Sequence, residues 1–101
     1  MLNYEKKQQT LTVRIDRDLD HSACSGMREE LDALLRDSGV RRLVFDLSGA
    51  EFMDSSGVGF IIGRYKLIRR RGGSVAVIHA DARMRRIFEM SGLYQIVEHM
   101  G

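Results

Sequence analysis

Hydrophobic residues recur along this chain with two different periods, one typical of strands and one typical of helices. Their succession predicts strands that alternate with helices. Residues 10–15 alternate apolar with polar side chains, which is the pattern of a half-buried strand. Residues 2–6 precede them across a short polar turn, so we expect the two segments to pair as an antiparallel hairpin at one edge of a sheet. Apolar runs predict three further strands, at residues 40–47, 74–78 and 94–98.

Helical spacing of apolar residues predicts three helices between these strands. Asp20 and Ser22 are both suited to capping the first helix, which should end near Ser38 and Gly39. The second helix is expected from residue 55 to about residue 71, and the third at residues 81–90. The order β-β-α-β-α-β-α-β predicts one α/β domain over residues 1–101, with a mixed, mostly parallel sheet of about five strands and helices packed against it.

Composition excludes several classes of protein. Charged residues make up 30% and apolar residues 44% of the 101 residues, and there is no proline, so we expect an ordered soluble domain rather than a disordered chain. A formal net charge of +2 gives no reason to expect a nucleic-acid partner. No apolar run approaches the roughly 18 residues that a membrane span needs. The start does not resemble a signal peptide, and we expect a cytoplasmic protein without a membrane partner.

Cysteine and histidine give no sign of a disulfide or a metal site. The only cysteine, Cys24, cannot form an internal disulfide, and we expect it to be a small buried residue of the first helix. His21, His79 and His99 do not have the spacing of metal ligands with each other or with Cys24. We therefore expect neither a metal nor a cofactor in this chain.

The segment Phe-Met-Asp-Ser-Ser-Gly-Val-Gly, at residues 52–59, lies where the second helix begins. Asp54, Ser55 and Ser56 are favoured residue types there, because their oxygens can accept hydrogen bonds from the free N–H groups of the first helical turn. The residue types alone do not distinguish a helix cap from a functional site.

Glycines and two apolar residues give the second helix an unusual outer face. Gly57, Gly59 and Gly63 cost roughly 1 kcal/mol each inside a helix relative to alanine, which predicts a packing or close-approach requirement. At about 100° per residue, one apolar stripe should face the sheet. It consists of Val58, Ile61, Ile62, Tyr65 and Ile68. Phe60, Gly63 and Leu67 fall on nearly the opposite side, where they are either uninformative exposed residues or a docking surface.

The same segment, continued by Gly-Arg-Tyr-Lys at residues 63–66, resembles the signature of the anti-sigma factor antagonists of the STAS domain family. Further matches are Leu-Asp-His at 19–21, Gly-Gly at 72–73 and Phe-Glu-Met-Ser-Gly-Leu at 88–93. They occur in order along nearly the whole chain. Within the family, the chain is most similar to the sporulation antagonists of spore-forming bacteria.

The resemblance implies a switch between partners. In that family the unmodified antagonist binds an anti-sigma factor, which then releases its sigma factor. The anti-sigma factor is also an ATP-dependent serine kinase that phosphorylates and inactivates the antagonist, and a serine phosphatase reverses the modification. The antagonist itself is not an enzyme, ATP is bound by the partner, and the free chain is expected to be a monomer.

The family's functional residues can be placed on this sequence. The serine directly after the aspartate is the expected phosphate acceptor, which is Ser55. Asp20 matches an acidic residue of the family's recognition surface near that serine. Together with the outer face of the second helix, the expected partner-binding residues are Asp20, Asp54, Ser56, Gly57, Gly59, Phe60, Gly63 and Leu67. An alternative function within the family is a STAS-domain phosphorylation switch in another stress or signalling pathway.

Three alternatives come from other classes of protein. Gly57, Gly59 and Gly63 suggest a dinucleotide-binding turn, but there the glycines follow the strand directly, and here a long loop intervenes. Asp54, Ser55 and either His21 or His79 supply the residue types of a serine hydrolase triad, but the Gly-x-Ser-x-Gly motif is absent. Arginines at residues 69–71 and at 83, 85 and 86 suggest nucleic-acid binding, yet helix ends and solvated faces account for them.

Overall fold

The computed structural model describes residues 2–37 and 39–100. Its strands are β1 (Asn3–Lys7), β2 (Thr10–Arg14), β3 (Arg42–Asp46), β4 (Ser74–Ile78) and β5 (Glu98–Met100). Its helices are α1 (His21–Leu35), α2 (Ser55–Arg69) and α3 (Ala82–Ser91), followed by a short 3₁₀ helix (Leu93–Gln95). The predicted order of elements is confirmed.

The five strands form one sheet in the order β1-β2-β3-β4-β5. The hairpin β1–β2 is antiparallel and lies at one edge, and the other three pairings are parallel. Val13 is paired with Phe45, and Phe45 with Val77, so apolar residues of neighbouring strands share one face of the sheet. The prediction of a mixed, mostly parallel sheet is confirmed.

The helices cover that apolar face. Val13, Phe45 and Val77 are at most 1% exposed and belong to one core that also contains residues of all three helices. The opposite face carries polar contacts, since Arg42 reaches across β4 to Glu98 at 2.7 Å and to the Ser74 hydroxyl at 3.0 Å. The sheet therefore has one apolar face under the helices and a second face on which polar contacts also occur.

Helix α2 packs both on the sheet and against α1, which corrects the expected orientation of Phe60. Phe60 is only 4% exposed, and its ring lies edge-to-face with Phe45 at 6.1 Å between centroids. Leu67 is half-buried and packs against the core instead of pointing into solvent. The buried arc of α2 is wider than the single predicted stripe because α1 covers a second side of the helix. Of that stripe, Val58, Ile61 and Ile68 are buried, and Ile62 and Tyr65 are half-buried.

Arg64 is a buried cation between α1 and α2. Its side chain lies near the Phe60 ring, with the guanidinium carbon 5.1 Å from the ring centroid. Arg64 Nε is 3.0 Å from Asp32 Oδ1, which is an ion-pair distance, although the N–H direction does not satisfy hydrogen-bond geometry. The charge pair thus joins the two helices on the side where Phe60 is buried.

Two predicted boundaries are wrong. The last strand is Glu98–Met100 and not residues 94–98, because Gly92 adopts a left-handed backbone (φ 78°) and leads directly into the 3₁₀ helix. The first helix ends at Leu35 with Arg36 as its C-terminal cap, so Gly39 does not close it, and Ser38 lies outside the described residues.

Arg71, the last arginine of the run at residues 69–71, contacts the end of α1. Its guanidinium donates to the carbonyl groups of Leu35, Asp37 and Val40, at and just beyond the end of α1. The expected role of this cation was to offset the end of its own helix, α2. It instead satisfies carbonyls that the end of a neighbouring helix leaves free.

Candidate functional site

The site is built on two loops that are tied together. Leu19 forms a parallel β-bridge with Met53. The Leu19 N–H donates to the Phe52 carbonyl at 2.9 Å, and the Asp54 N–H donates to the Leu19 carbonyl at 3.4 Å. Asp18 Oδ1 accepts from the Phe52 N–H at 3.0 Å. These bonds bring the beginning of α1 and the beginning of α2 side by side.

Each of these two helices is capped by an aspartate. Asp20 Oδ1 accepts from the Ala23 N–H at 2.8 Å, which confirms Asp20 rather than Ser22 as the cap of α1. Asp54 Oδ1 accepts from the Ser56 N–H at 2.8 Å and caps α2. Of the three residues suited to capping this helix, Asp54 is therefore the cap, and the N–H of Ser56 is the capped group. Two carboxylates consequently occupy the two helix N-termini.

Ser55 is the first residue of α2 and is exposed. Its hydroxyl has no hydrogen-bond partner in the part of the chain that the structure describes. Ser55 also lies on the rim of an open groove of about 400 Å³ between α2 and α3. The lining residues are Asp54, Ser55, Val58, Ile87, Met90 and Ser91. The hydroxyl that is expected to accept a phosphate thus forms no hydrogen bond within the described residues and is accessible to a partner.

Cys24 lies beneath this surface, at the α1–α2 contact. It is 3% exposed, and its thiol donates to the Ser56 carbonyl at 3.7 Å. Burial raises the pKa of the thiol above 9.0, and the negative charges of Asp54 and Asp20 raise it further. Cys24 is therefore a protonated packing residue, as predicted, and not a nucleophile.

The three glycines have different environments. A Cβ on Gly57 would lie 2.6 Å from Met53 Cγ and 3.1 Å from the Leu19 carbonyl oxygen, so the predicted close approach is confirmed there. A Cβ on Gly59 or Gly63 would meet no atom within 4 Å among those described, so packing within the described residues does not require these two glycines. Gly57 allows the two loops to come into contact beneath Ser55. Gly59 and Gly63 leave the backbone on the outer side of α2 without covering side chains.

The structure brings most of the sequence-predicted residues to one surface. Around the paired helix starts lie Asp20, Asp54, Ser55, Ser56 and Gly57. The open side of α2 adds Gly59 and Gly63, while Leu67 is half-buried three turns from Ser55 and Phe60 is inside the core. Sequence reasoning missed Ile87 and Met90, which line the groove from α3. Ile87 is one of the apolar residues of the predicted third helix, but no sequence signal places α3 beside Ser55.

The geometry is unfavourable for the alternative functions. Asp54 already occupies the free N–H of Ser56, the position that a dinucleotide phosphate would need at this helix start. His79 Nδ1 is 2.8 Å from Asp46, a pairing that does not involve Ser55. Residues 2–37 and 39–100 contain no cluster of three or more side chains suited to a metal ion. Within the same residues, no helix has the length and apolar character to cross a bilayer.

Comparison with known proteins identifies the family. The profile of the STAS domain matches residues 1–100. The anti-sigma F factor antagonist of Paenibacillus polymyxa is 36% identical over 96 residues, covering 95% of this chain and 82% of the relative. The anti-sigma factor antagonist SpoIIAA in its unphosphorylated form has a TM-score of 0.80 at 24% identity, covering 100% of this chain and 88% of that one. Phosphorylated SpoIIAA of Bacillus has a TM-score of 0.78 at 25% identity, covering 100% and 92%. With its sheet order, its paired helix starts and this match over almost all its length, the chain belongs to the STAS domain family.

Proposed function

We propose that this chain is an anti-sigma factor antagonist of the sporulation type, and that phosphorylation of Ser55 switches it off. The observation that carries the proposal is the exposed Ser55 hydroxyl, which has no internal partner while Asp54 performs the capping. The name of the Paenibacillus relative supports an anti-sigma factor as the partner. In the unmodified state this chain binds the anti-sigma factor and a sigma factor is released.

The partner supplies the catalytic machinery for the modification. The Ser55 hydroxyl oxygen forms the new bond to the γ-phosphorus of ATP held by the anti-sigma factor. The bond from that phosphorus to the β–γ bridging oxygen breaks, ADP leaves, and the hydroxyl proton passes to a base of the partner. A serine phosphatase reverses the step with water and releases inorganic phosphate. This chain contributes the acceptor and its presentation, and it is not an enzyme.

Phosphate at Ser55 changes the charge of a surface that is already negative. A phosphoserine carries roughly −1.5 to −2 charge at neutral pH. Asp20 and Asp54 hold carboxylates at the two adjacent helix starts, so the modified surface concentrates negative charge in one place. A partner that fits the unmodified surface then meets both repulsion and added bulk.

The partner-binding surface that we propose follows the open side of α2. It consists of Asp20, Asp54, Ser56, Gly59 and Gly63, with Leu67 at its far end. Phe60 is omitted because its side chain is buried, and Gly57 because it is buried against Met53 and Leu19. Gly59 and Gly63 contribute by having no side chain, since a partner element can approach the helix backbone closely there. We also propose that the free chain is a cytoplasmic monomer.

Phosphorylation with a defined partner tests the function. The purified chain is incubated with the anti-sigma F factor of Paenibacillus polymyxa and Mg-ATP, and the modified residue is mapped by mass spectrometry. We expect one phosphate, on Ser55, and a complex with the partner in ADP that phosphorylation abolishes. Ser56→Ala is the matched control and should remain a substrate, whereas Ser55→Ala should not. A chain that neither binds nor accepts phosphate on Ser55 would contradict the proposal.

A further inference from the structure

We propose that the groove between α2 and α3 receives an apolar side chain of the anti-sigma factor, and that this side chain has an acidic neighbour in the partner. The inference rests on the proposed function and adds α3 to the surface that the partner recognises. It also gives phosphorylation a second way to act, because Ser55 lies on the groove's rim.

The floor of the groove is apolar. Val58 is 8% exposed, Ile87 is half-buried, and both line a space of about 400 Å³. That volume is near the lower end of the range for ligand pockets, roughly 300–1,000 Å³, and the groove is open along one side. Its shape and lining suit one protruding side chain of a protein better than an enclosed small molecule.

Met90 is the most informative residue of the groove. Its side chain is 82% exposed, although Ile87, three residues earlier, is half-buried on the same helix face. An exposed apolar side chain continuous with an apolar groove is characteristic of an interaction surface. Methionine is flexible and polarizable, so it can close over a side chain that enters beside it.

The position of Ser55 determines which protein covers the groove. A kinase that brings the γ-phosphate of ATP to the Ser55 hydroxyl must lie over the rim and therefore over the adjacent apolar floor. Once phosphate is attached, a strongly hydrated group stands at the entrance. Burying it against an apolar side chain is unfavourable, so the modification opposes docking at α3 as well as at α2.

Two basic residues of α3 lie one helical turn before the groove's lining residues. Arg83 and Arg86 precede Ile87 and Met90 by one helical turn, which places them on the same face of α3. Both are exposed, and neither forms an ion pair with any residue that the structure describes. Their charges complement a carboxylate that lies next to the inserted apolar side chain.

A pair of methionine variants tests the groove. Met90→Lys places a charge at its edge, and Met100→Lys changes another exposed methionine, 48% exposed in β5, that does not line it. Affinity for the anti-sigma F factor of Paenibacillus polymyxa is measured by calorimetry with unphosphorylated chain in ADP. We expect Met90→Lys to bind roughly ten- to a hundredfold more weakly, the range for losing burial of one such side chain, and Met100→Lys to bind like the wild type.

Methyl NMR provides a readout without substitution. In a sample labelled at its methionine methyl groups, the Met90 signal should shift on addition of the partner and the Met100 signal should not. Salt should weaken wild-type binding more than that of an Arg83→Gln, Arg86→Gln variant. If the wild type binds and is phosphorylated on Ser55 while Met90→Lys binds equally well, the groove proposal alone is overturned. If the wild type neither binds nor is phosphorylated, the proposed function and this inference both fail.

Discussion

Asp54 Oδ1 accepts a hydrogen bond from the Ser56 N–H at 2.8 Å, and the residue between them, Ser55, takes no part in the cap. This relationship separates two roles that a helix start often gives to a single residue. The aspartate satisfies the free N–H group of the first turn, so the serine hydroxyl is not needed for stability. A phosphate acceptor in this position can be modified without removing a cap.

Substitution of the cap should reduce stability by a predictable amount. Asp54→Ala leaves the Ser56 N–H without its side-chain acceptor, and we expect the free energy of unfolding to fall by about 1 kcal/mol. Asp54→Asn should remain close to the wild type, because asparagine caps as well as aspartate. Urea denaturation of the three proteins measures the difference. Equal destabilisation by alanine and asparagine would show that charge, and not capping, is what the helix start requires.

The glycines of α2 should respond in opposite directions. Gly57→Ala forces a Cβ against Met53 and the Leu19 backbone, so we expect a loss of about 1–3 kcal/mol in the free energy of unfolding. Gly59→Ala and Gly63→Ala should each stabilise by roughly 0.5–1 kcal/mol, since the added methyl group has free space and alanine favours the helix. Thermal and urea unfolding provide the comparison. A stabilised Gly57→Ala protein would be incompatible with the contact between the two loops.

Local chemistry made the helix starts and the end of α3 largely predictable. Asp20 was among the expected caps of α1, and Gly92 closes α3 in the left-handed conformation that glycine favours. The position of β5 was harder to predict, because the apolar residues Tyr94, Ile96 and Val97 suit either a strand or a 3₁₀ turn. Only their packing on α3 and the sheet distinguishes the two.

Side-chain orientation on α2 depended on contacts distant in the sequence. The periodicity of Val58, Ile61 and Ile68 identified the side facing the sheet, which is a local signal. The burial of Arg64 depends on α1 lying beside α2, and that of Phe60 on Phe45 of the sheet and on Arg64. No pattern within residues 55–69 contains that information. Met90 was missed for the same reason, since its place beside Ser55 follows from how α3 packs.

Phosphorylation of Ser55 should leave the fold intact. The new charge lies at a helix N-terminus, where backbone N–H groups and the helix dipole favour anions, and this offsets repulsion from Asp54. We expect the phosphorylated chain to unfold cooperatively, with amide chemical-shift changes confined to the starts of α1 and α2 and the adjacent groove residues of α3. The unmodified chain in the same buffer is the reference. Loss of cooperative unfolding, or shift changes throughout the sheet, would contradict a switch that acts only at the surface.

Asp46 and His79 form an acid-sensitive contact at the end of β3. Asp46 Oδ1 is 2.8 Å from His79 Nδ1 and accepts from the Ser48 N–H at 3.0 Å. Burial of the carboxyl group would raise its pKa, but the hydrogen bonds from His79 and Ser48 outweigh burial and hold the pKa of Asp46 below 3.8. His79 has a left-handed backbone (φ 61°), which is uncommon for a residue with a side chain, so this contact also accompanies a constrained loop.

The lowered pKa determines how this contact responds to acid. A carboxyl group whose pKa is lower in the folded than in the unfolded chain stabilises the fold above its unfolded pKa, and the contribution disappears as the pH falls through the folded value. The stability difference between the wild type and Asp46→Asn should therefore be constant above about pH 5 and shrink below about pH 4. Urea denaturation between pH 7 and pH 2 measures both curves. If they stay parallel down to pH 2, the pKa of Asp46 is the same in both states, and the hydrogen bond from His79 does not favour the ionised carboxylate.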